Sequence, residues 1–120
     1  MNILETIIQL IIGLGLLNVW LLRFNKKTEF RGGEARNMKE EFNSYGLPNW
    51  FLYLIGFLKI SIAIVMLVGI WVENLVVPAA IILSVLMLGA ILMHLKVNDP
   101  IKKSLPAAAL LILALLLIVI

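Results

Sequence analysis

The segment Trp50–Ile70, WFLYLIGFLKISIAIVMLVGI, decides the fold class, because it is a long apolar run with a single charged residue near its middle. About 20 apolar residues is the length at which an α-helix crosses the hydrocarbon core of a bilayer. The charged residue is Lys59, and an ammonium at that depth costs at least about 2.5–3.5 kcal/mol unless it finds a partner or water. The segment therefore predicts a transmembrane helix, and Lys59 is the first place to look for a site.

The composition extends this interpretation to the whole chain. Of its 120 residues, 62% are hydrophobic and 14% are charged, whereas soluble domains are roughly 45–50% apolar and 25% charged. A chain this short cannot bury so much apolar surface in a core of its own, so lipid must surround most of it. The absence of cysteine excludes disulfides and thiolate chemistry from this chain.

Three further apolar runs complete a single domain over residues 1–120. The predicted spans are about 3–22, 50–70, 75–95 and 100–120. The apolar part of the fourth is short, but Asp99 as N-cap and Pro100 at the first helical position would lengthen it. Pro106 would then kink the first turns or mark a restart at Ser104. The predicted fold class is an all-α membrane protein, a four-helix antiparallel transmembrane bundle.

The basic residues predict how the spans are oriented. Nine of the ten Lys and Arg lie in the loops after spans one and three, and the tenth is Lys59. By the positive-inside rule those loops are cytoplasmic, which places both termini outside the bacterial inner membrane. The same confinement to loops means that the pI near 9.5 does not indicate nucleic acid. The first run has no basic n-region and no small-x-small cleavage site, so it is expected to be a retained anchor.

The long loop Arg23–Asn49 contains a predicted amphipathic helix over residues 34–44. Met38, Phe42 and Tyr45 recur at i, i+4 and i+7, which is the spacing of one helix face. Such a helix would lie in the cytoplasmic interface, with this stripe against headgroups or the lower edge of the bundle. A solvated charged loop is the alternative.

Helical periodicity groups polar residues of the spans into a candidate intramembrane site. Gly56, Lys59 and Ala63 share a stripe, and small residues let helices approach closely in lipid, so this stripe is predicted to face inward. Helical side chains lean toward their own amino terminus, which brings the Lys59 amine to the level of Asn18 on the antiparallel first span. Ser84 of span three completes the candidate site. Snorkelling of Lys59 to cytoplasmic water is the alternative.

A second candidate site lies at the cytoplasmic edge, where His94, Lys96, Asp99 and Lys103 surround the end of span three. His94 has a simpler explanation, since a cation at a helix carboxyl terminus offsets the helix dipole. His94 and Asp99 fall short of the three or four ligands of a metal site, so no metal is expected. No catalytic constellation and no phosphate-binding glycine loop is recognisable. The chain is therefore not expected to be an enzyme by itself.

Four stretches carry a resemblance to one family: Tyr45–Pro48, Tyr53–Lys59, Gly69–Trp71 and Met87–Ala107. The last is the strongest, with a His-x-x-x-x-Asp-Pro pattern and a Lys-x-x-Pro-Ala pattern. Together they resemble the DoxX-like family of small bacterial membrane proteins over nearly the whole chain. Many relatives carry an acidic residue at the position of Lys59, so a proton relay built on a carboxylate there does not transfer to this chain.

The resemblance implies a four-helix bundle in the cytoplasmic membrane that serves a redox enzyme or an assembly complex. The family name comes from a subunit linked to thiosulfate:quinone oxidoreduction, which makes a lipid quinone the implied cofactor. Two functions stay open. One is a non-catalytic membrane subunit or scaffold whose basic face holds a membrane or cytoplasmic protein partner or anionic lipid. The other is a small-molecule or ion carrier in which Lys59 attracts the ligand. Four short helices are few for alternating access, although a homo-oligomer would relieve that objection.

Overall fold

The computed structural model describes residues 2–120, and within that range the chain is helical with no β-strand. The helices are α1 (Ile3–Leu17), continued by a π-helical turn (Asn18–Leu22), α2 (Met38–Ser44), α3 (Asn49–Val68), α4 (Val76–Lys96) after a 3₁₀ turn (Glu73–Leu75), and α5 (Leu105–Val119) after a 3₁₀ turn (Ile101–Ser104). With these turns, α1, α3, α4 and α5 are four helices long and apolar enough to cross a membrane. The predicted all-α class with four spans is confirmed.

The spans pack as two close pairs, α1 with α3 and α4 with α5, and the contact between the pairs is looser. Gly13 of α1 faces Leu67 of α3, while Gly56 of α3 faces Trp20 of the π-helical turn, so the first pair runs antiparallel. A Cβ at Gly13 would lie 2.8 Å from the Leu67 side chain. Glycine is therefore what allows these two backbones to approach so closely.

The main apolar core fills one end of the molecule. We call this the terminal end, since it holds the start of α1 and the finish of α5, and the opposite end, with segments 23–48 and 97–104, the loop end. Ile12, Met66 and Leu83 are fully buried in the core. Gln9 is buried beside them, and its Nε2 donates to the Met66 carbonyl oxygen at 3.0 Å. That bond satisfies a carbonyl near the carboxyl end of α3, where the last carbonyl groups have no N–H partner within the helix.

The predicted helix in the first loop exists, but its predicted start is wrong. α2 begins at Met38, because the Asn37 side chain accepts the Glu40 N–H at 2.9 Å and so caps the helix there. Met38 and Phe42 are buried in a second apolar cluster with Trp20 and do not form a solvated loop.

The fourth span runs over Ile101–Val119, close to the predicted 100–120, but its predicted N-cap is wrong. Asp99 does not act as its N-cap, because the Asp99 carboxylate accepts the Gly33 N–H at 3.0 Å instead. Four residues of 3₁₀ helix follow Pro100, and α5 then restarts at Leu105 with Pro106 in its first turn. Of the two effects predicted for Pro106, a kink or a helix restart, the structure shows the restart, because a proline fits the first turn of a helix.

Candidate functional site

A cavity of about 460 Å³ lies at the loop end, with walls from both helix pairs. Small-molecule sites in proteins commonly have volumes of about 300–1,000 Å³. Its apolar wall residues include Leu16, Val19, Trp20, Ile55, Leu86, Ala90, Met93, Ala107 and Leu110. The cavity thus lies between the two helix pairs.

The segment between α1 and α3 forms a roof over this cavity. Its central contact is an ion pair of Arg31 with Glu41, at 3.0 Å, with only 5% and 13% of the side chains exposed. Arg31 also donates to backbone carbonyl groups of its own segment. Glu41 accepts two more hydrogen bonds, from the Gly32 N–H at 3.1 Å and the Tyr45 hydroxyl at 2.9 Å. A buried ion pair is tolerated when its remaining polar atoms are satisfied in this way.

Tyr45 connects the roof to the end of α4. Burial raises the pKa of the Tyr45 hydroxyl, and the negative charge of Glu41 acts in the same direction. The hydroxyl therefore stays protonated and remains a donor to Glu41. The Tyr45 ring packs edge-on against His94, with the ring centroids 5.9 Å apart, and Lys96 Nζ donates to the Tyr45 carbonyl oxygen at 2.7 Å.

Trp20 and Lys59 meet on one wall of the cavity. The π-helical turn holds Trp20 against Gly56, where a Cβ would come 2.8 Å from the ring. Lys59 Nζ lies 5.5 Å from the centroid of the Trp20 ring, which is cation–π range. Ala63, on the same stripe of α3, is fully buried. The stripe of Gly56, Lys59 and Ala63 thus faces inward as predicted.

Of the other two residues of the predicted intramembrane site, one lies in the cavity with Lys59 and the other does not. Asn18 lines the cavity with Lys59, but no hydrogen bond joins the two among residues 2–120. Ser84 is not part of the cavity lining. Its buried hydroxyl donates to the Ala80 carbonyl oxygen of its own helix at 2.8 Å, a common way for a helical serine to satisfy itself. Trp20, rather than Asn18, is the group that contacts the amine.

The cavity opens on the surface of the spans. Asn18, Val19 and Val85 line it and are also exposed, Val85 to 64%. These residues belong to helices that are apolar enough to cross a membrane. The opening therefore faces the region that lipid would occupy, which offers a route for a lipid-soluble molecule.

The residues of the predicted edge site form a compact cluster around Asp99. His94 Nδ1 lies 2.7 Å from Asp99 Oδ2, and both side chains are buried. Asp99 also accepts the Gly33 N–H, and Lys103 Nζ lies 3.5 Å from its Oδ1. Burial by itself would raise the pKa of Asp99, but the hydrogen bonds from His94 and Gly33 and the charge of Lys103 outweigh it and lower that pKa. Asp99 is therefore a carboxylate that ties the α4–α5 connection to the roof.

The two sites that the sequence suggests separately open into one cavity. Lys59, Asn18, His94 and Lys103 all line it. Lys96 lies outside the lining and holds the carboxyl end of α2 through Tyr45. Sequence reasoning missed the Arg31–Glu41 pair, because two opposite charges ten residues apart in a polar loop look like ordinary solvated residues.

Residues 30–117 match the family model described as the DoxX-like family. The chain belongs to the DoxX-like family. The match includes most of the roof, α3, α4 and nearly all of α5, so the DoxX-like region contains Lys59 and the Asp99 cluster. With four helices of membrane-spanning length and composition, this DoxX-like chain is a multi-pass membrane protein.

One curated relative of this DoxX-like protein is the uncharacterized protein YdgD of Bacillus subtilis (strain 168). The two are 39% identical over 56 residues, which are 47% of this chain and 49% of the relative. The matched region thus spans about half of the relative's length. No solved structure matches the chain significantly.

Proposed function

We propose that this DoxX-like protein is a non-catalytic membrane subunit that binds a lipid-soluble ligand of the quinone class for a redox or assembly partner. The observation that carries this proposal is a largely apolar cavity whose lining includes the side chains of Lys59 and His94, two groups able to bind ring oxygens. A quinone, when bound, would supply electron and proton carrier chemistry that the side chains of this chain lack.

The lining suits such a ligand. Trp20, Phe42 and Phe51 offer aromatic surface to a flat ring, and aromatic rings favour offset or edge-on contacts of this kind. The Lys59 ammonium can donate a hydrogen bond to a ring oxygen, and the imidazole of His94 can donate or accept one. A few polar groups in an apolar pocket are the usual means of orienting a ligand.

A carrier function has less support. A carrier needs its site to open alternately at both ends of the spans. At the terminal end, Ile12, Met66 and Leu83 are fully buried in a packed core, so opening there would disrupt the main apolar core of the protein. A binding subunit needs only the opening beside Asn18.

We place the loop end on the cytoplasmic side of a bacterial inner membrane, with both termini outside. The segments at the loop end carry eight of the ten Lys and Arg, and a ninth, Lys96, ends α4 beside them; such residues accumulate in cytoplasmic loops. Lys26, Lys27, Lys39 and Lys102 are exposed there and would meet an acidic surface of a protein partner. Purification from native membranes in mild detergent tests this part. A stoichiometric soluble protein supports it, whereas a bound small molecule without any partner favours the carrier.

Trp20 provides a direct test of binding, because the chain has only three tryptophans. In the double variant Trp50→Phe and Trp71→Phe, all tryptophan fluorescence comes from Trp20. A short-chain alkyl benzoquinone should quench that fluorescence saturably in nanodiscs, and a saturating excess of a non-quenching analogue should restore it.

The matched control is Trp20→Phe with Trp50→Phe. It keeps Trp71, which is 81% exposed at the terminal end. Quenching of Trp71 should rise linearly with the quinone dissolved in the bilayer. Linear quenching of Trp20 with the same slope would show that the cavity does not bind this class of ligand.

A further inference from the structure

His94 is the single histidine of the chain, and its two ring nitrogens have different surroundings. Nδ1 lies 2.7 Å from Asp99 Oδ2, and the residue lines the cavity. Among residues 2–120, no group forms a hydrogen bond with Nε2, and this atom is not completely enclosed by protein. Nε2 is therefore the ring atom that is left for a ligand.

The surroundings of Asp99 determine which nitrogen carries the proton. The Gly33 N–H and the Lys103 ammonium both point donors at the Asp99 carboxylate, which favours its ionised form. An ionised carboxylate can only accept, so Nδ1 must donate to it. In the neutral imidazole, Nε2 then has no proton and is an acceptor.

We infer that His94 Nε2 accepts a hydrogen bond from a hydroxyl group of the ligand, so that the site prefers the hydroquinone form to the quinone form. This inference rests on the proposed function and names the redox form that the cavity selects. A quinone presents carbonyl oxygens, which cannot donate to Nε2. A hydroquinone presents hydroxyl groups, which can. Asp99 acts as a positioning residue, because it fixes the tautomer without contacting the ligand.

Asp99→Asn should reverse this selection. In the wild type, the Gly33 N–H lies 3.0 Å from Asp99 Oδ1 and 3.2 Å from Oδ2. The Lys103 ammonium is on the side of Oδ1, whereas Oδ2 faces His94. In the variant, the Lys103 ammonium and the shorter Gly33 contact would hold the single amide oxygen at the position of Oδ1, so the amide nitrogen would face His94. An NH₂ group donates to Nδ1, which moves the imidazole proton to Nε2 and turns that atom into a donor.

Nitrogen NMR on protein labelled with ¹⁵N only in histidine tests the tautomer without any ligand. With a single histidine, the spectrum contains one Nδ1 and one Nε2 signal, and a pH series identifies the range in which the ring is neutral. We expect a protonated Nδ1 in the wild type and a protonated Nε2 in Asp99→Asn. The matched control is Glu29→Gln, whose carboxylate is exposed and pairs with Lys102 at 3.0 Å; it should retain the wild-type pattern.

Calorimetric titration under anaerobic conditions then compares a short-chain alkyl benzoquinone with its hydroquinone. One hydrogen bond gained or denied is worth about tenfold in affinity. The wild type should bind the hydroquinone about tenfold more tightly, and Asp99→Asn should lose or invert that ratio. Equal binding of the two forms by the wild type, or a protonated Nε2 in its NMR spectrum, overturns the inference. Saturable quenching of Trp20 would in that case still support the proposed function. If neither form binds, both fall.

Discussion

Lys59 Nζ lies 5.5 Å from the centroid of the Trp20 ring, so an aromatic face and not a carboxylate receives the charge in the middle of α3. A desolvated cation–π contact is worth about 2 kcal/mol. An ammonium at mid-membrane depth costs at least about 2.5–3.5 kcal/mol. The contact therefore offsets the cost of Lys59 only in part, which is consistent with the ligand-binding role proposed for it.

Lys59→Met should separate that role from stability. The variant keeps most of the apolar stem and removes the charge, so the free energy of unfolding should rise by about 1 kcal/mol, the uncompensated part of the burial cost. Thermal unfolding in detergent measures the gain, and quenching of Trp20 by the benzoquinone measures the accompanying loss of affinity. The control is Lys27→Met, since Lys27 is exposed in the roof segment. This variant should change neither the stability nor the affinity for the benzoquinone. Unchanged binding by Lys59→Met would assign Lys59 no part in holding the ligand.

Gly56→Ala should disturb the same wall from the other side. Its Cβ would lie 2.8 Å from the Trp20 ring, so Trp20 would have to move, and overpacking of this kind costs about 1–3 kcal/mol. Gly89→Ala is the matched control, because a Cβ at Gly89 would meet nothing within 4 Å and alanine favours the helix. Thermal unfolding should show a loss of stability for Gly56→Ala and none for Gly89→Ala. Equal effects would mean that Gly56 does not set the position of Trp20.

Lys59 could be found from the sequence, because a charge inside an apolar run is visible along the chain itself. Its contact with Trp20 could not, because that contact depends on the π-helical turn Asn18–Leu22. A π turn shifts the face on which later residues lie, so counting at the ordinary helical period selected Asn18 instead. Local rules likewise placed His94 and Asp99 together at the end of α4. The opening of His94 into the cavity of Lys59 depends on how the two helix pairs pack, which no local pattern encodes.

Arg31→Met should loosen the roof. The substitution leaves Glu41 buried without its ion-pair partner, and removing one member of a buried pair costs about 3–5 kcal/mol. We expect a loss of stability at the lower end of this range, because Glu41 keeps two other hydrogen-bond donors. Arg36→Met is the control, since Arg36 is 74% exposed in its pair with Glu40 and such pairs contribute at most about 1 kcal/mol. Limited proteolysis should cut Arg31→Met within segment 23–48 and leave Arg36→Met resistant. Wild-type resistance of Arg31→Met would contradict the role of the ion pair.

Asp99 should give the folded protein a dependence on pH. Its pKa is lowered below the usual value of 3.8 by His94, Gly33 and Lys103, against the opposing effect of burial. The unfolded chain therefore takes up the Asp99 proton at higher pH than the folded chain. The stabilisation is complete above the unfolded pKa and is lost as the pH falls through the folded one. The difference in unfolding free energy between wild type and Asp99→Asn should shrink with acidification below about pH 4. A difference that is constant between pH 7 and pH 3 would show that the cluster does not stabilise the ionised form.

The orientation of the chain can be tested with single cysteines, because the sequence contains none. Lys27 and Lys102 lie at the loop end, whereas Glu73 lies in the connection between α3 and α4 at the terminal end. The concentration of Lys and Arg at the loop end predicts that it faces the cytoplasm. In intact cells, a membrane-impermeant maleimide should therefore label Glu73→Cys and leave Lys27→Cys and Lys102→Cys unlabelled until the membrane is permeabilised. Labelling of Lys102→Cys in sealed cells would invert the topology and move the ligand cavity to the outer half of the bilayer.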